Sequence, residues 1–148
     1  MSGRSAIVGF GAYLPSGRIR TAEIAAQWGQ DPDVIERGLG VSEKTVPRAG
    51  EDSFTLAFEA GQQALAIASE YGDVAPSAVS AIFVGSESHP YAVKPTSGML
   101  VSALGLDPYS HCADLEFACK AGTAGLQIVD SFVRSGQIAY GMAIGSDT

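Results

Sequence analysis

DLEFACKAGTAGLQIVDSF, residues Asp114 to Phe132, reads as a strand that hands over to a helix, with Cys119 at the junction. The strand is short, Ala113 to Phe117, and a helix of small residues runs from about Cys119 to Arg134, with Gly136 just beyond it. A cysteine in that place lies near the positive end of the helix dipole and its free N–H groups, which stabilise a thiolate, the nucleophilic form of the residue. Lys120 adds a positive charge if it points the same way. The string Ala121-Gly122-Thr123-Ala124-Gly125 has poor helix propensity. It makes sense where the helix is buried centrally and another backbone must approach it closely. A plain buried cysteine fits the same residues, because free Cys is among the most buried types.

Working outward, Ala139 to Gly145 is a further apolar strand, and Ala78 to Gly85 (AVSAIFVG) is a continuous apolar run of the kind buried on both faces of a sheet. Between these strands lies a helix opened by Pro95 and Thr96 and ended near Leu104 by Gly105. Before Ala78 a long helix starts at Asp52 or Ser53 and reaches about Tyr71, with Leu56, Ala60, Ala64, Ile67 and Ala68 at helical spacing and Gly72 as its stop. Further back, Ser42 to Pro47 is an extended piece. Asp31-Pro32 begins a helix to about Arg37, closed by Gly38 and Gly40. Thr21 caps a short helix, Ala22 to Trp28, and Ala6 to Leu14 reads as a buried first strand. Strands that alternate with helices and lack alternating polarity predict an α/β fold, a sheet with helices on both faces. The last strand runs into Gly145-Ser146-Asp147-Thr148, a poor place for a domain to finish, so residues 1–148 read as one domain cut before its continuation.

The bulk figures agree with a globular unit. The chain has 148 residues, 46% hydrophobic and 17% charged, with a net charge of −7 and only nine Lys and Arg. Length suffices for one core, composition argues against disorder, and scattered cations argue against nucleic acid as a partner. No apolar run reaches the roughly 18 residues a membrane span needs. The start, MSGRSAIVGFGAYLP, is broken by Gly9, Gly11 and Pro15 and reads as a strand rather than a signal peptide. A reduced, cytoplasmic setting is therefore expected for the two cysteines. Cys112 and Cys119 are seven apart with no CxxC pair, which is no zinc signature. Cys112 sits in or before a strand and reads as structural.

The second site candidate is GSESHP, residues 85–90. Here an apolar strand ends in Glu87, and ligand crevices of α/β sheets open at the carboxyl ends of strands. A carboxylate partly withdrawn from water there can act as general acid or base, although an exposed loop glutamate is the plain alternative. His89 could orient Glu87 or hold the turn before Pro90, and the structural role is the expected one. His111 reads as a surface residue, and Tyr91 and Lys94 as a solvated loop. Gly9 to Tyr13 is no dinucleotide fingerprint, since the third glycine opening a helix is missing.

These residues carry a resemblance. The segments Val84–Ser97 (VGSESHPYAVKPTS), Ala113–Gln127 (ADLEFACKAGTAGLQ) and Tyr140–Thr148 (YGMAIGSDT) resemble 3-hydroxy-3-methylglutaryl-CoA synthase of the archaeal type, as does the N-terminal stretch with its WGQDP and GLGVSEK pieces. The likeness runs over essentially the whole chain. It implies a thiolase-like subunit of two similar halves, each a mixed sheet between helices, with this chain as the N-terminal half. It also implies condensation of acetyl-CoA with acetoacetyl-CoA to HMG-CoA in the mevalonate route, with no metal or redox cofactor. Cys119 would carry the acetyl group as a thioester. Glu87 would remove a methyl proton. Asp31 and Pro32 would contact CoA, and the Cys119 N–H would help hold the thioester oxygen. The family's catalytic histidine belongs to the second half, and neither His89 nor His111 stands in its place. A lone chain is therefore expected to show little or no synthase activity. The resemblance further implies a homodimer and association with acetoacetyl-CoA thiolase and a small bridging protein. Two other readings remain open: a ketoacyl synthase III-like condensing enzyme, and a non-catalytic half-domain that binds a partner.

Overall fold

The computed structural model describes residues 3–148 and divides them into two compact units, one of residues 3–13 with 52–147 and one of residues 14–51. The smaller unit holds an antiparallel strand pair, β1 (Gly17–Arg20) and β2 (Glu43–Val46), and two helices, α1 (Thr21–Gln27) and α2 (Pro32–Leu39). Asp31 is the N-cap of α2, its carboxylate accepting from Asp33 N at 2.9 Å, and Pro32 fills the first turn. Gly40, at φ 66°, closes the helix in the left-handed conformation. Gly38 lies inside α2 instead of ending it. Thr21 is the first residue of α1 and donates its hydroxyl to Val41 O, so it ties α1 to the approach to β2 rather than capping α1.

In the larger unit α3 (Ser53–Gly72), β3 (Val79–Gly85), α4 (Thr96–Ala103), β4 (His111–Leu115), α5 (Ala121–Ser135) and β5 (Tyr140–Gly145) follow in order. The strands form one parallel sheet in the order β4-β3-β5. Asp52 caps α3 by accepting from Thr55 N, and the Thr55 hydroxyl accepts from Asp52 N in return. The helix runs through Gly72 and is closed by Asp73 in the left-handed conformation (φ 52°). Side chains of β3 divide between two cores. Val79, Ile82 and Val84 pack with Ala57, Leu65 and Ala68 of α3 and Leu100 of α4. Ala81 and Phe83 pack with Val129 of α5 and with Ile138. Helices thus cover both faces of the sheet, and the central strand is apolar but for the half-buried Ser80, because its faces are largely closed to water.

The small residues of α5 earn their place by close approach to the strands. A Cβ placed on Gly85 would lie 2.5 Å from Gly122 N and 2.6 Å from Ala121 C, both backbone atoms that cannot swing aside. Gly85→Ala is therefore expected to push β3 and α5 apart at a cost of about 1–3 kcal/mol. Its thermal midpoint, followed by circular dichroism, should fall by roughly 3–10 °C, and an unchanged midpoint would contradict this packing. The helix is not buried all round, however: Ala121, Gly125 and Val129 are buried while Leu126 is exposed.

The expected first strand does not form. Residues 3–15 pair with no strand, and Ile7 and Phe10 are 75% and 72% exposed. Their backbone lies on a helix instead. A Cβ on Gly9 would sit 2.3 Å from Ala64 O, and one on Gly11 2.2 Å from Ala60 O. Both edges of β3 are taken, and the free edge of β5 faces residues 4–11 across an apolar crevice of about 870 Å³. The apolar run was legible, but its pairing partner was not.

Candidate active site

The parallel register lines up the carboxyl ends of β3, β4 and β5, with Gly85 opposite both Leu115 and Gly145. Two further backbone bonds carry the ladder past the strands, Ser86 N to Leu115 O at 3.1 Å and Ser146 N to Gly85 O at 3.0 Å. Residues 86–89, 116–120 and 146–147 therefore leave the sheet at one end, where the fold gathers its polar groups.

The turn after β4 supplies Cys119. Ala118 has φ 48°, a conformation that a residue with a Cβ rarely adopts and that costs on the order of 1 kcal/mol or more. Lys120 N donates to Phe117 O and Ala121 N to Ala118 O, each at 3.1 Å, so the chain turns tightly before α5 begins at Ala121. Cys119 thus stands one residue ahead of the helix N-cap, Lys120, rather than within the helix, and it is exposed. Lys120 turns its ammonium to Gln127 Oε1 at 2.9 Å.

Glu87 comes to this turn from β3. Its carboxylate accepts from the Ala118 N–H at 2.5 Å, which places an acid beside the residue that precedes Cys119. Glu87 is exposed too, so of the two readings the sequence left open the structure shows the exposed loop carboxylate and not the partly desolvated one. The reason is local: residues 116–120 project beyond the sheet end and all five are exposed.

Asp147, which the sequence reading passed over, fixes the loop that carries Glu87. Its Oδ1 accepts from Glu87 N at 2.7 Å, Ser88 Oγ at 3.0 Å and Ser86 Oγ at 3.1 Å. The signal was present: GSES and GSDT each place an acid two residues beyond a glycine, and those glycines are register partners. Buried serines complete the frame, with Ser53 Oγ donating to Ser88 O at 2.7 Å and Ser146 Oγ to Ser53 O at 2.8 Å. Asp147→Ala removes an acceptor shared by three donors, one of them the hydroxyl of Ser86, which is 1% exposed. A thermal midpoint roughly 3–6 °C lower is expected by calorimetry, and an unaltered midpoint would show that water replaces the carboxylate without loss.

The remaining candidates separate. His89 does not reach Glu87; its Nδ1 lies 2.8 Å from Thr96 Oγ1. His111 is exposed with its ring 5.7 Å from that of Phe132 in an edge-to-face contact. Lys94 Nζ stands 5.9 Å from the Tyr91 ring centre, both residues being exposed. Cys112 lies in edge strand β4 and is exposed, so it contributes to neither core. Asp31 and Pro32 belong to the smaller unit, where they open α2.

A parallel sheet between helices, with a cysteine on a strained turn at the carboxyl end of one strand and an acid from the next, is an α/β arrangement of the thiolase-like kind. The chain superposes on MvaS in complex with 3-hydroxy-3-methylglutaryl coenzyme A with a TM-score of 0.74 at 31% identity, covering 93% of this chain and 32% of that one. It superposes on 3-oxoacyl-(acyl carrier protein) synthase III, FabH, of Pseudomonas aeruginosa with a TM-score of 0.69 at 25% identity, covering 88% and 38%. In sequence the chain is a relative of the archaeal hydroxymethylglutaryl-CoA synthases, being 54% identical over 142 residues to that of Archaeoglobus fulgidus. That match takes in 96% of this chain, and the chain spans about 40% of the length of the curated relatives it matches. No protein-family model matches it.

Proposed function

We propose that this chain is the nucleophile-bearing part of a hydroxymethylglutaryl-CoA synthase, an N-terminal thiolase-like half that works with a second half. The observation that carries the reading is the Glu87 carboxylate held on the Ala118 N–H, next to Cys119. Cys119 attacks the carbonyl of acetyl-CoA; the new C–S bond replaces the old one, and CoA departs with its sulfur. Glu87 then takes a proton from the acetyl methyl, and the resulting carbon nucleophile adds to the ketone of acetoacetyl-CoA. Hydrolysis of the enzyme thioester by water yields HMG-CoA and regenerates the cysteine. Tethering one reactant turns the condensation into an effectively intramolecular step, and backbone N–H groups at the turn, that of Cys119 among them, hold the thioester oxygen.

Two kinds of support meet here. The relatives at 54% identity are named for this activity, and GSES provides the acid that the synthase reading requires of Glu87. The ketoacyl synthase III-like reading shares the cysteine but gives this glutamate no part. To the same proposal belong contact of Asp31 and Pro32 with CoA, a cytoplasmic setting, a homodimer, and association with acetoacetyl-CoA thiolase and a bridging protein. Among the described residues no helix is long and apolar enough to cross a membrane.

The test uses the chain as it stands. Incubation with acetyl-CoA followed by intact-mass measurement and peptide mapping should find one acetyl group on Cys119, with no HMG-CoA formed when acetoacetyl-CoA is added. An unmodified chain would favour a non-catalytic binding module, and full turnover by the lone chain would refute the need for a second half.

A further inference from the structure

The loop that presents Glu87 is held at its near end by Asp147 and at its far end by a histidine to which the reaction above gives no task. The His89 side chain is 6% exposed. Its Nδ1 lies 2.8 Å from Thr96 Oγ1 and 3.5 Å from Asp114 Oδ2. A carboxylate oxygen only accepts and a hydroxyl can do either, so these partners place the proton on Nδ1. Asp114, near the end of β4, is itself committed: Oδ2 accepts from Thr96 N at 2.7 Å and Oδ1 from Ser97 N at 2.8 Å. It thereby caps α4, whose own preceding residue, Pro95, offers no side-chain cap. The other ring nitrogen, Nε2, is buried with no hydrogen-bond partner among the described residues. The ring is engaged through Nδ1 alone, toward α4 and away from Glu87.

We propose that His89 is a positioning residue for Glu87: by gripping the N-terminus of α4 through Thr96 and Asp114, it sets where residues 86–89 hold the Glu87 carboxylate under the Ala118 N–H. Backbone restriction reinforces the grip, since Pro90 confines His89 to extended conformations. Ser53 anchors the preceding carbonyl, that of Ser88, at 2.7 Å. Glu87 is then the one residue of the loop whose side chain points to solvent, pinned on both flanks and free to meet an acetyl group on Cys119. A displacement of about 1 Å at a reacting group can cost about a hundredfold in rate, so a clamp that touches no substrate still governs the chemistry.

The inference rests on Glu87 acting as the base, and one experiment separates the two. The chain is acetylated on Cys119 with acetyl-CoA in D2O, and deuterium entry into the acetyl methyl is followed by mass for the wild type and for His89→Ala, His89→Asn and His89→Gln. Asn places an N–H near the Nδ1 position, whereas Gln places one near Nε2. The expected result is acetylation by all four, exchange about ten- to a hundredfold slower in His89→Ala and His89→Gln, and recovery to within about threefold in His89→Asn. Wild-type exchange rates in His89→Ala or His89→Gln would overturn the clamp while leaving the Glu87 reading intact. So would equal slowing in all three variants, which would make the histidine a packing residue. Should His89→Ala fail to fold, the contrast between Asn and Gln decides alone. Absence of exchange in the wild type would overturn the Glu87 reading, and the clamp with it.

Discussion

Cys119→Ala abolishes acetyl transfer from acetyl-CoA to the chain, and Cys112→Ala leaves it at the wild-type level: this is the largest effect expected. Both cysteines are free and both are exposed, so exposure alone cannot separate them. Their settings can. Cys112 lies in a regular strand whose Cα partner is Ile82. There it lies in the regular backbone of a strand, with no turn or helix start next to it. Cys119 stands on a turn where Ala118 is forced to φ 48°. A non-glycine residue pays for that conformation only where the surroundings over-determine it, and such residues gather at functional sites. The first turn of α5 follows directly after Lys120, and in the proposed reaction its free N–H groups would hold the oxyanion of the attacked thioester. Intact-mass measurement of the two variants after equal exposure to acetyl-CoA decides it, with at least about a hundredfold less adduct expected for Cys119→Ala. Equal labelling of the two cysteines would mean simple thiol exchange with the reagent, and the site would lose its nucleophile.

Much of this arrangement could be read from the chain, and the portion that could not has a physical pattern. The run Val79–Gly85 is almost wholly apolar because two helical layers cover it, so its burial on both faces followed from composition, whereas its central place between two parallel neighbours did not. The strand–turn–helix around Cys119 was legible from its small residues, although α5 starts two residues later than expected because the turn consumes residues 118–120. What failed was information held by partners distant in sequence. Ala6–Leu14 looks like a strand by content, yet a strand is defined by a neighbouring edge; Gly9 and Gly11 instead lie against α3, and Gly3 against Arg134 of α5. Conversely β1 was missed, since GRIR becomes a strand only by pairing with Glu43–Val46. His89 and Asp114 illustrate the same limit at the site. The sequence pointed to His89 but not to Asp114, and only the alignment of β3, β4 and the start of α4 brings them to one hydrogen-bonded cluster.

The second large effect falls on Glu87. Glu87→Gln retains the length of the side chain and an oxygen that can accept from the Ala118 N–H, so the turn beneath Cys119 should keep its shape and the acetyl adduct should still form. The amide is no base. Deuterium entry from D2O into the methyl of the acetylated chain should therefore fall by about 100-fold or more, the lower range of what a positioned general base contributes. Glu87→Asp separates basicity from reach: it keeps the carboxylate but withdraws it by one methylene from a contact that now measures 2.5 Å. Exchange between the two extremes is expected for that variant, because the carboxylate survives while its alignment with the tethered methyl does not. The pair of outcomes also discriminates among enzymes of this fold. If Glu87→Gln were to exchange as fast as the wild type while Cys119 still accepted acetyl, the nucleophile would stand without this base, and the chain would join the condensing enzymes in which the glutamate of GSES has no chemical part. Loss of exchange with the adduct retained is the combination that a synthase-type division of labour requires, one residue carrying the acetyl group and its neighbour across the sheet end removing the proton.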